Sequence, residues 1–300
     1  MPAVNLSDIL EPALTGHYAV AGLVVLGWED AVAFVAAAEE LGQPVILQAG
    51  PGCRQHTPLP VLGSMFRYLA DNASVPVVCH VDHARSLEEC QSGIEHGFTS
   101  VMFDGSDLSL AANIDMTSAV VEIAHPAGVS VEGEIGVVGY SEDSKLNVAA
   151  AISHSTDPHE AAKLCVDSGL DALAISIGNV HLQTNSKSEI DRKTLALIED
   201  AITAEFQLNG LDRQAIPLVL HGGSGIPSAV RIDLARSTTI CKFNIGTELR
   251  QQFGVALRQT LNEKPDQFDR IGILKAVMTP MQKAAMDIMG EFGSPCYESI

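Results

Sequence analysis

Residues 75–83 read Val-Pro-Val-Val-Cys-His-Val-Asp-His, a short run of mainly β-branched residues that ends abruptly in an acid and a histidine. Such an apolar run predicts a buried β-strand over residues 75–81. An amphipathic helical stretch follows at residues 87–96, and the next apolar run, 99–104, again ends in an acid, Asp104. This order of strand, helix and strand indicates parallel pairing within a sheet.

The same alternation continues along nearly the whole chain. Strands are predicted at residues 18–26, 44–49, 75–81, 99–104, 129–134, 172–177, 217–221 and 239–245. Helices are predicted at residues 29–41, 61–73, 87–96, 110–125, 158–168, 194–208, 228–236 and 248–257, with a helical tail from about residue 262. Eight strands alternating with helices predict an α/β fold of the (β/α)8 TIM barrel type. We therefore expect one domain over residues 1–300, with the tail as a helical C-terminal extension.

A doubly wound open sheet is the alternative architecture. Its first strand usually runs into a glycine-rich turn that binds phosphate. Here the first predicted strand runs into Leu26-Gly27-Trp28-Glu29, which is not such a turn. The barrel is therefore the favoured fold.

The composition restricts the classes of partner. The 300 residues include 18 basic and 37 acidic side chains, and a formal net charge of −19 argues against binding to nucleic acid or to an anionic membrane. No apolar run is long enough for a transmembrane helix. A targeting peptide would require basic residues near the N-terminus, and no Lys or Arg precedes Arg54. The six cysteines are scattered, which favours free thiols in a reducing compartment. We therefore expect a cytoplasmic protein.

Polar side chains stand where the predicted strands end. These residues are Asp82, His83, Asp104, Glu132, Glu134, Ser176, His181, His221 and Asn244. The C-terminal strand ends of a barrel meet at one mouth, so we expect His83, His181 and His221 to converge there. Three neutral imidazoles that leave an open position suit Zn²⁺ or a similar divalent ion. Such an ion either polarises a carbonyl or activates water, and the spacing does not choose between these roles.

Two glycine-containing loops follow the last two predicted strands. Gly222, Gly223 and Ser224 come directly after His221, and the run Asn244-Ile245-Gly246-Thr247 precedes a helical stretch. Loops at these positions, together with a helix N-terminus, form the usual phosphate site of the barrel. The pattern therefore predicts a phosphorylated small molecule as the ligand.

Six blocks of the sequence resemble class II metal-dependent ketose-bisphosphate aldolases, the fructose- and tagatose-bisphosphate group. The blocks are residues 78–83, 97–106, 129–136, 177–181, 220–227 and 242–247, and the resemblance spans about residues 15–290. It implies a carbon–carbon lyase that cleaves or forms a ketose (bis)phosphate such as fructose 1,6-bisphosphate or tagatose 1,6-bisphosphate. The products would be dihydroxyacetone phosphate and an aldehyde, formed through a zinc-stabilised enediolate.

The resemblance also implies roles for single residues. Metal binding falls to four side chains: His83, His181, His221 and, as an alternative ligand, Glu134. Asp82 would handle the proton on the C4 oxygen, and Glu142 the proton at the donor carbon. Asn244 would hydrogen-bond the enediolate.

Substrate contacts and assembly are implied in the same way. The loops at Gly222, Gly223 and Ser224 and at Asn244-Ile245-Gly246-Thr247 would hold the phosphate of dihydroxyacetone phosphate, often with a monovalent cation, K⁺ or Na⁺. Arg270 would reach the far phosphate. Family members associate through helices near the barrel mouth, which implies a homodimer or a homotetramer.

The chain departs from the family pattern at substrate contacts. Gly50 stands where the family has Ser or Thr, Val24 where it has Asn, and Leu182 where it has Gly. Tyr140 replaces the second glycine of a mobile-loop pair, and Arg270 lacks the proline that precedes it in the family. A divergent enzyme acting on another ketose phosphate or on a non-phosphorylated donor therefore stays open. So do a non-catalytic metal-binding homologue and a metal-dependent hydrolase.

Overall fold

The structure, a computed structural model, describes residues 3–141, 154–185 and 187–296. Its eight strands form one closed parallel barrel in chain order. They are β1 (Val20–Val24), β2 (Val45–Ala49), β3 (Val77–Ala84), β4 (Ser100–Phe103), β5 (Ser130–Ile135), β6 (Ala172–Ile175), β7 (Leu218–Leu220) and β8 (Ile240–Ile245). β1 pairs with β8 as well as with β2, which closes the barrel. The predicted single-domain barrel is confirmed, and the open sheet is excluded.

Helices surround the barrel. They are α1 (Leu6–Gly16), α2 (Trp28–Leu41), α3 (Pro51–His56), α4 (Leu59–Asn72), α5 (Leu87–Glu95), α6 (Leu110–Ala124), α7 (Pro158–Ser168), α8 (Arg192–Leu208), α9 (Ser228–Ser237), α10 (Thr247–Glu263) and α11 (Arg270–Glu291). Among the described residues, none of these helices combines the length and apolarity that crossing a bilayer requires.

The barrel interior divides into an apolar lower part and a polar mouth. Inward-facing side chains of the strands, among them Ile46, Val78 and Met102, form one cluster with Leu6 and Leu10 of α1. Helix α1 therefore closes the N-terminal end of the barrel. It begins with a capping box, in which Asn5 and Asp8 satisfy each other's backbone N–H groups.

The structure contains two helices that were not expected: α1, near the start of the chain, and the short helix α3, directly after β2. The helical C-terminal extension predicted from about residue 262 corresponds to α11, which begins at Arg270, and a short break separates it from α10, which ends at Glu263. Pro265 explains the break, because proline disfavours helical backbone in the residue before it, and Lys264 has φ −131° and ψ 69°. The side chain of Asp269 then caps α11.

Candidate active site

Three histidines converge at the mouth of the barrel. His83 lies near the end of β3, and His181 and His221 lie in the loops that follow β6 and β7. One ring nitrogen from each lies within 4.8 Å of those of the other two. The closest pair is Nδ1 of His221 and Nε2 of His83, at 2.9 Å. The predicted convergence of the three imidazoles is therefore observed.

Carboxylates fix the orientation of two of these rings. Nδ1 of His83 lies 2.8 Å from Oδ2 of Asp104, and Nε2 of His221 lies 3.0 Å from Oε1 of Glu132. Each carboxylate accepts the proton of that nitrogen, so Nε2 of His83 and Nδ1 of His221 face the space between the rings. This arrangement is the usual support of histidine metal ligands.

Glu132 belongs to a fully buried charged network inside the barrel. Its Oε2 accepts a 2.6 Å hydrogen bond from Nζ of Lys242, which also lies 3.4 Å from Nε2 of His80. All three side chains have no solvent exposure. Burial, with a contribution from Lys242, lowers the pKa of His80 well below its ordinary value. His80 is therefore neutral, and the close contact of this network is the ion pair between Lys242 and Glu132.

The electrostatics of the mouth favour a cation. Burial alone would lower the pKa of His83, but Asp82, Asp104 and Glu134 raise it to about 10. Burial lowers the pKa of His181 and of His221 well below the ordinary value, and the neighbouring His83 lowers it further. The site therefore holds one positive charge among three imidazoles. Two neutral rings and one favourable position for a cation match the donor set of a divalent metal ion.

Glu134 offers a second set of ligand atoms. His83, Asp104 and Glu134 also bring three ligand atoms within 4.8 Å of one another. Oε2 of Glu134 is buried 3.4 Å from Nδ1 of His83 and has no hydrogen-bond partner among the described residues. Burial and the nearby Asp104 raise the pKa of Glu134 well above its ordinary value. An unpartnered buried oxygen of this kind suits an alternative metal ligand.

Asp82 is the buried carboxylate beside the histidines. Two side-chain amides donate to its Oδ1, from Gln48 at 3.1 Å and from Asn244 at 3.2 Å. Burial would raise the pKa of Asp82, but His83 and the other cationic groups lower it overall. Asp82 is therefore ionised and held in a fixed orientation, as a general base requires.

Two cavities meet at the histidines. The larger, about 590 Å³, is lined by Glu134, Asp104 and Arg85. The smaller, about 280 Å³, is lined by Asp82 and by five residues of the predicted phosphate loops: Gly222, Ser224, Asn244, Gly246 and Thr247. His83, His181, Pro51 and Tyr140 line both.

Close backbone packing and two hydrogen bonds fix the conformation of the glycine loop that follows β7. Gly222 has φ +64°, and a Cβ there would lie 2.2 Å from the carbonyl oxygen of Val180, so only glycine fits. Oγ of Ser224 accepts hydrogen bonds from the backbone N–H groups of Gly246 and Glu248, at 3.3 and 3.2 Å. These contacts join the two predicted phosphate loops at the start of α10.

Two members of the predicted phosphate set do not line the cavity. Ile245 is fully buried in the core, and its Cδ1 lies 2.7 Å from where a Cβ of Gly223 would be. Gly223 therefore serves close packing of the two loops. Alternation along β8 explains the correction for Ile245, because neighbouring strand residues point to opposite faces.

Arg270 begins α11 and lines a neighbouring cavity of about 260 Å³, not either cavity at the histidines. The predicted contact of Arg270 with the far phosphate therefore stays a prediction, with Arg270 outside the two cavities at the histidines. Glu142 lies outside the described residues, so its predicted role stays a prediction.

Arg250 was missed by sequence reasoning. It lies on α10, one turn after the second phosphate loop, and lines the smaller cavity. Its Nε atom is buried and has no hydrogen-bond partner among the described residues. A search for basic residues one helical turn after Thr247 would have found it.

The departures from the family pattern cluster in the cavity walls. Leu182 has φ +55°, a left-handed conformation that favours glycine, and its side chain lines the smaller cavity with Val24. The ring of Tyr140 stacks on His181 with centroids 5.2 Å apart. A Cβ at Gly50 would lie 3.6 Å from Oδ2 of Asp82, so the missing hydroxyl would have been next to that carboxylate.

Comparison with known proteins gives one consistent result. The family model "Fructose-bisphosphate aldolase class-II" matches residues 4–295. A fructose-bisphosphate aldolase of Geobacillus stearothermophilus is 36% identical over 297 residues, covering 98% of each chain, and one of Staphylococcus epidermidis is 32% identical over 299 residues, again 98% of each. The crystal structure of the YdjI aldolase from Escherichia coli K12 superposes with a TM-score of 0.79 at 32% identity, covering 97% of this chain and 98% of that one.

Proposed function

The chain belongs to the class II fructose-bisphosphate aldolase family, a family of carbon–carbon lyases, and from this premise we propose that it cleaves and forms a ketose bisphosphate. The proposed substrates are fructose 1,6-bisphosphate or tagatose 1,6-bisphosphate, and the common product is dihydroxyacetone phosphate. One observation carries the proposal: His83, His181 and an ionised, oriented Asp82 line the same cavity as the glycine loop, and the buried His221 completes the imidazole triad behind them.

A divalent metal ion, for which we propose Zn²⁺, fits the donor set described above. His83, His181 and His221 would hold it, and Glu134 would serve as the alternative ligand. When bound, the ion would act as a Lewis acid that polarises the donor carbonyl and stabilises the charge that develops on its oxygen. The family is generally metal-dependent, which agrees with this assignment.

The chain's own groups would carry the proton transfers. In the cleavage direction Asp82 removes the proton from the C4 hydroxyl, because it is ionised and lies in the wall of the donor cavity. The electrons of that O–H bond form the aldehyde carbonyl as the C3–C4 bond breaks. Asn244 stands beside Asp82 to hydrogen-bond the enediolate of dihydroxyacetone phosphate. Glu142 would return the proton to the donor carbon.

Phosphate recognition would use the joined loops. Gly222, Ser224, Gly246 and Thr247 line the donor end of the smaller cavity, together with the start of α10. We propose that the donor phosphate binds there together with K⁺ or Na⁺. Arg250 lines the same cavity, and its Nε has no hydrogen-bond partner among the described residues, so it offers a cation for a second phosphate.

A second substrate class is favoured by one observation. The Leu182 side chain occupies the wall of the donor cavity, with a backbone conformation suited to glycine. This bulk reduces the space beside the phosphate loop. The competing proposal is therefore another ketose phosphate, or a donor without phosphate, cleaved by the same metal-assisted chemistry.

Proton exchange tests the proposal without knowledge of the aldehyde. Dihydroxyacetone phosphate is incubated in deuterated water with zinc-loaded or chelator-stripped protein, and exchange at the hydroxymethyl carbon is followed by NMR. We expect exchange only with the metal-loaded protein. D82N should keep the exchange but lose cleavage, whereas E142Q should lose both. Absence of exchange from protein with bound zinc would reject the phosphorylated donor, and dihydroxyacetone itself then tests the competing proposal.

Assembly and location complete the proposal. A homodimer or homotetramer is proposed from family behaviour, and light scattering that shows a monomer at micromolar concentration would contradict it. All six cysteines are free, which supports a reducing compartment and hence a cytoplasmic enzyme of carbohydrate metabolism, such as glycolysis.

A further inference from the structure

The pairing of strand β3 is irregular at Asp82 and His83, the proposed base and one of the proposed metal ligands. Pairing with β4 shifts register between Val81 and Ala84, so Asp82 and His83 together oppose one residue, Met102. This is a β-bulge, which leaves backbone groups without ladder partners. His83 has φ +54°, a rare and strained conformation for a residue with a side chain. Its N–H group contacts the sulfur of Met102 at 3.4 Å instead of a carbonyl oxygen.

One arginine takes up the carbonyl groups that the bulge leaves free. Arg54 lies on α3, directly after the end of β2, and only 6% of its side chain is exposed. Its Nη1 donates to the carbonyl oxygens of Ala49 and Asp82, and its Nη2 donates to that of His83 at 3.0 Å. The guanidinium therefore replaces the pairing that β2, which ends at Ala49, no longer supplies.

The guanidinium is itself held in place. Nε of Arg54 donates to Oε1 of Glu89 on α5 at 2.8 Å. The other carboxylate oxygen of Glu89 accepts from the backbone N–H of Arg85, at 3.0 Å. Glu89 therefore fixes the plane of the guanidinium while the remaining N–H groups point at the bulge. A planar donor set with this directionality is particular to arginine.

We propose that Arg54 is the positioning residue of this active site: it holds the strained bulge so that Asp82 and His83 point into the cavity together. Arg54 touches backbone oxygens and not the reacting atoms, so it acts through the two residues that it holds. The catalytic part of the proposal rests on the proposed function. The structural part, that Arg54 holds the bulge and with it the orientation of Asp82 and His83, does not depend on which reaction the site catalyses.

Without the hydrogen bonds of Arg54, we expect both the proposed base, Asp82, and the proposed metal ligand, His83, to be displaced. Displacement of a catalytic group by about 1 Å costs about 100-fold in rate, so R54M should lower kcat for cleavage by about that factor. Arg54 lines the larger cavity but not the smaller one, where the donor phosphate is proposed to bind, so KM should change by less than about threefold. The same variant should bind zinc about tenfold more weakly, as loss of supporting contacts to ligands typically does.

Cobalt(II) supplies a readout that is independent of turnover. The visible absorption of bound Co²⁺ reports coordination geometry. We expect R54M to bind one Co²⁺ per chain with shifted or weakened visible bands. R54K should recover no more than roughly a tenth of kcat, since one ammonium cannot replace a fork of directed donors. E89Q should act in the same direction as R54M with a smaller loss.

The matched control is R67M. Arg67 forms an exposed ion pair with Asp71 four residues later on α4, at 3.0 Å, and does not line the cavities at the histidines. The proposal is overturned if R54M matches R67M in its cobalt spectrum, in its zinc affinity and, within about threefold, in kcat. If R54M does not fold, wild-type values for both R54K and E89Q overturn it. Failure of the proposed function looks different: the wild-type chain would then show no exchange, while the cobalt spectra still report on Arg54.

Discussion

Nδ1 of His221 lies 2.9 Å from Nε2 of His83, and in each ring the opposite nitrogen faces a carboxylate. Those carboxylates fix which nitrogen carries a proton, so the two facing nitrogens both present lone pairs. A cation, either a proton or a metal ion, must lie between them. The raised pKa of His83 and the lowered pKa of His221 express the same preference. Asp104 and Glu132 therefore shape the proposed metal site as much as the histidines do.

Replacing Asp104 tests this support. D104N keeps the shape of the side chain but removes the charge that holds Nδ1–H of His83. We expect zinc affinity to fall about 10- to 100-fold, measured by competition with a chromogenic chelator. D107N is the matched control, because Asp107 also pairs with Arg85 but is 67% exposed and makes no contact with His83. Equal zinc affinity of the two variants would show that Asp104 does not orient the ligand.

The cysteines provide a prediction about pH. Burial raises the pKa of the Cys53 thiol to about 11 and those of Cys79 and Cys165 to about 12, so all three are protonated and unreactive at pH 8. Unfolded thiols titrate near pH 8.5. Stability is therefore unaffected below that pH and falls as the pH rises towards the folded values.

A thiol-specific chromogenic reagent checks this prediction at pH 8. Cys296 is exposed and the other five cysteines are buried. We expect one fast-reacting thiol in the native protein, its loss in C296S, and six reactive thiols in guanidinium chloride. Several fast-reacting thiols in native C296S would contradict the burial of these side chains.

The predicted site residues that the structure brings together share one property: they lie at strand ends or in the loops that follow them. His83, His181, His221 and Asp82 could be found because a closed parallel barrel brings all C-terminal strand ends to one mouth. Periodicity also located all eight strands, since buried β-branched runs are distinct from the helical stretches between them.

The residues that sequence analysis missed reach the site from helices. Arg54 lies on α3 and Arg250 on α10, and the approach of each depends on a long side chain turning back over the barrel mouth. The register shift at Asp82 is equally invisible in the sequence, because a bulge is decided by pairing with β4 and not by residue type. Long-range packing of this kind leaves no local pattern.

Substitutions of Arg250 and of Arg270 should have different effects on the KM for a bisphosphate substrate. Arg250 lines the donor cavity, whereas Arg270 lines only the neighbouring one. R250M should raise KM for fructose 1,6-bisphosphate about tenfold, a loss of about 1.4 kcal/mol, while R270M leaves it unchanged in the isolated chain. Steady-state cleavage by both variants checks this. A larger effect of R270M would place the far phosphate in the neighbouring cavity or across a subunit contact.

Leu182 gives the sharpest test of the donor. Its left-handed backbone costs roughly 1–2 kcal/mol for a residue with a side chain, and glycine avoids that cost. His17 has the same φ of 55° at the end of α1, far from the mouth, so H17G is a matched control for relief of backbone strain. Because glycine also gains freedom in the unfolded chain, both variants should change the free energy of unfolding by less than about 1 kcal/mol.

If the donor is phosphorylated, only L182G should lower KM for dihydroxyacetone phosphate in the exchange assay, since it alone widens the phosphate cavity. If the donor lacks phosphate, L182G should instead raise KM for that donor, because an apolar contact is lost. Identical kinetics of L182G, H17G and the wild-type chain would show that Leu182 does not shape donor choice.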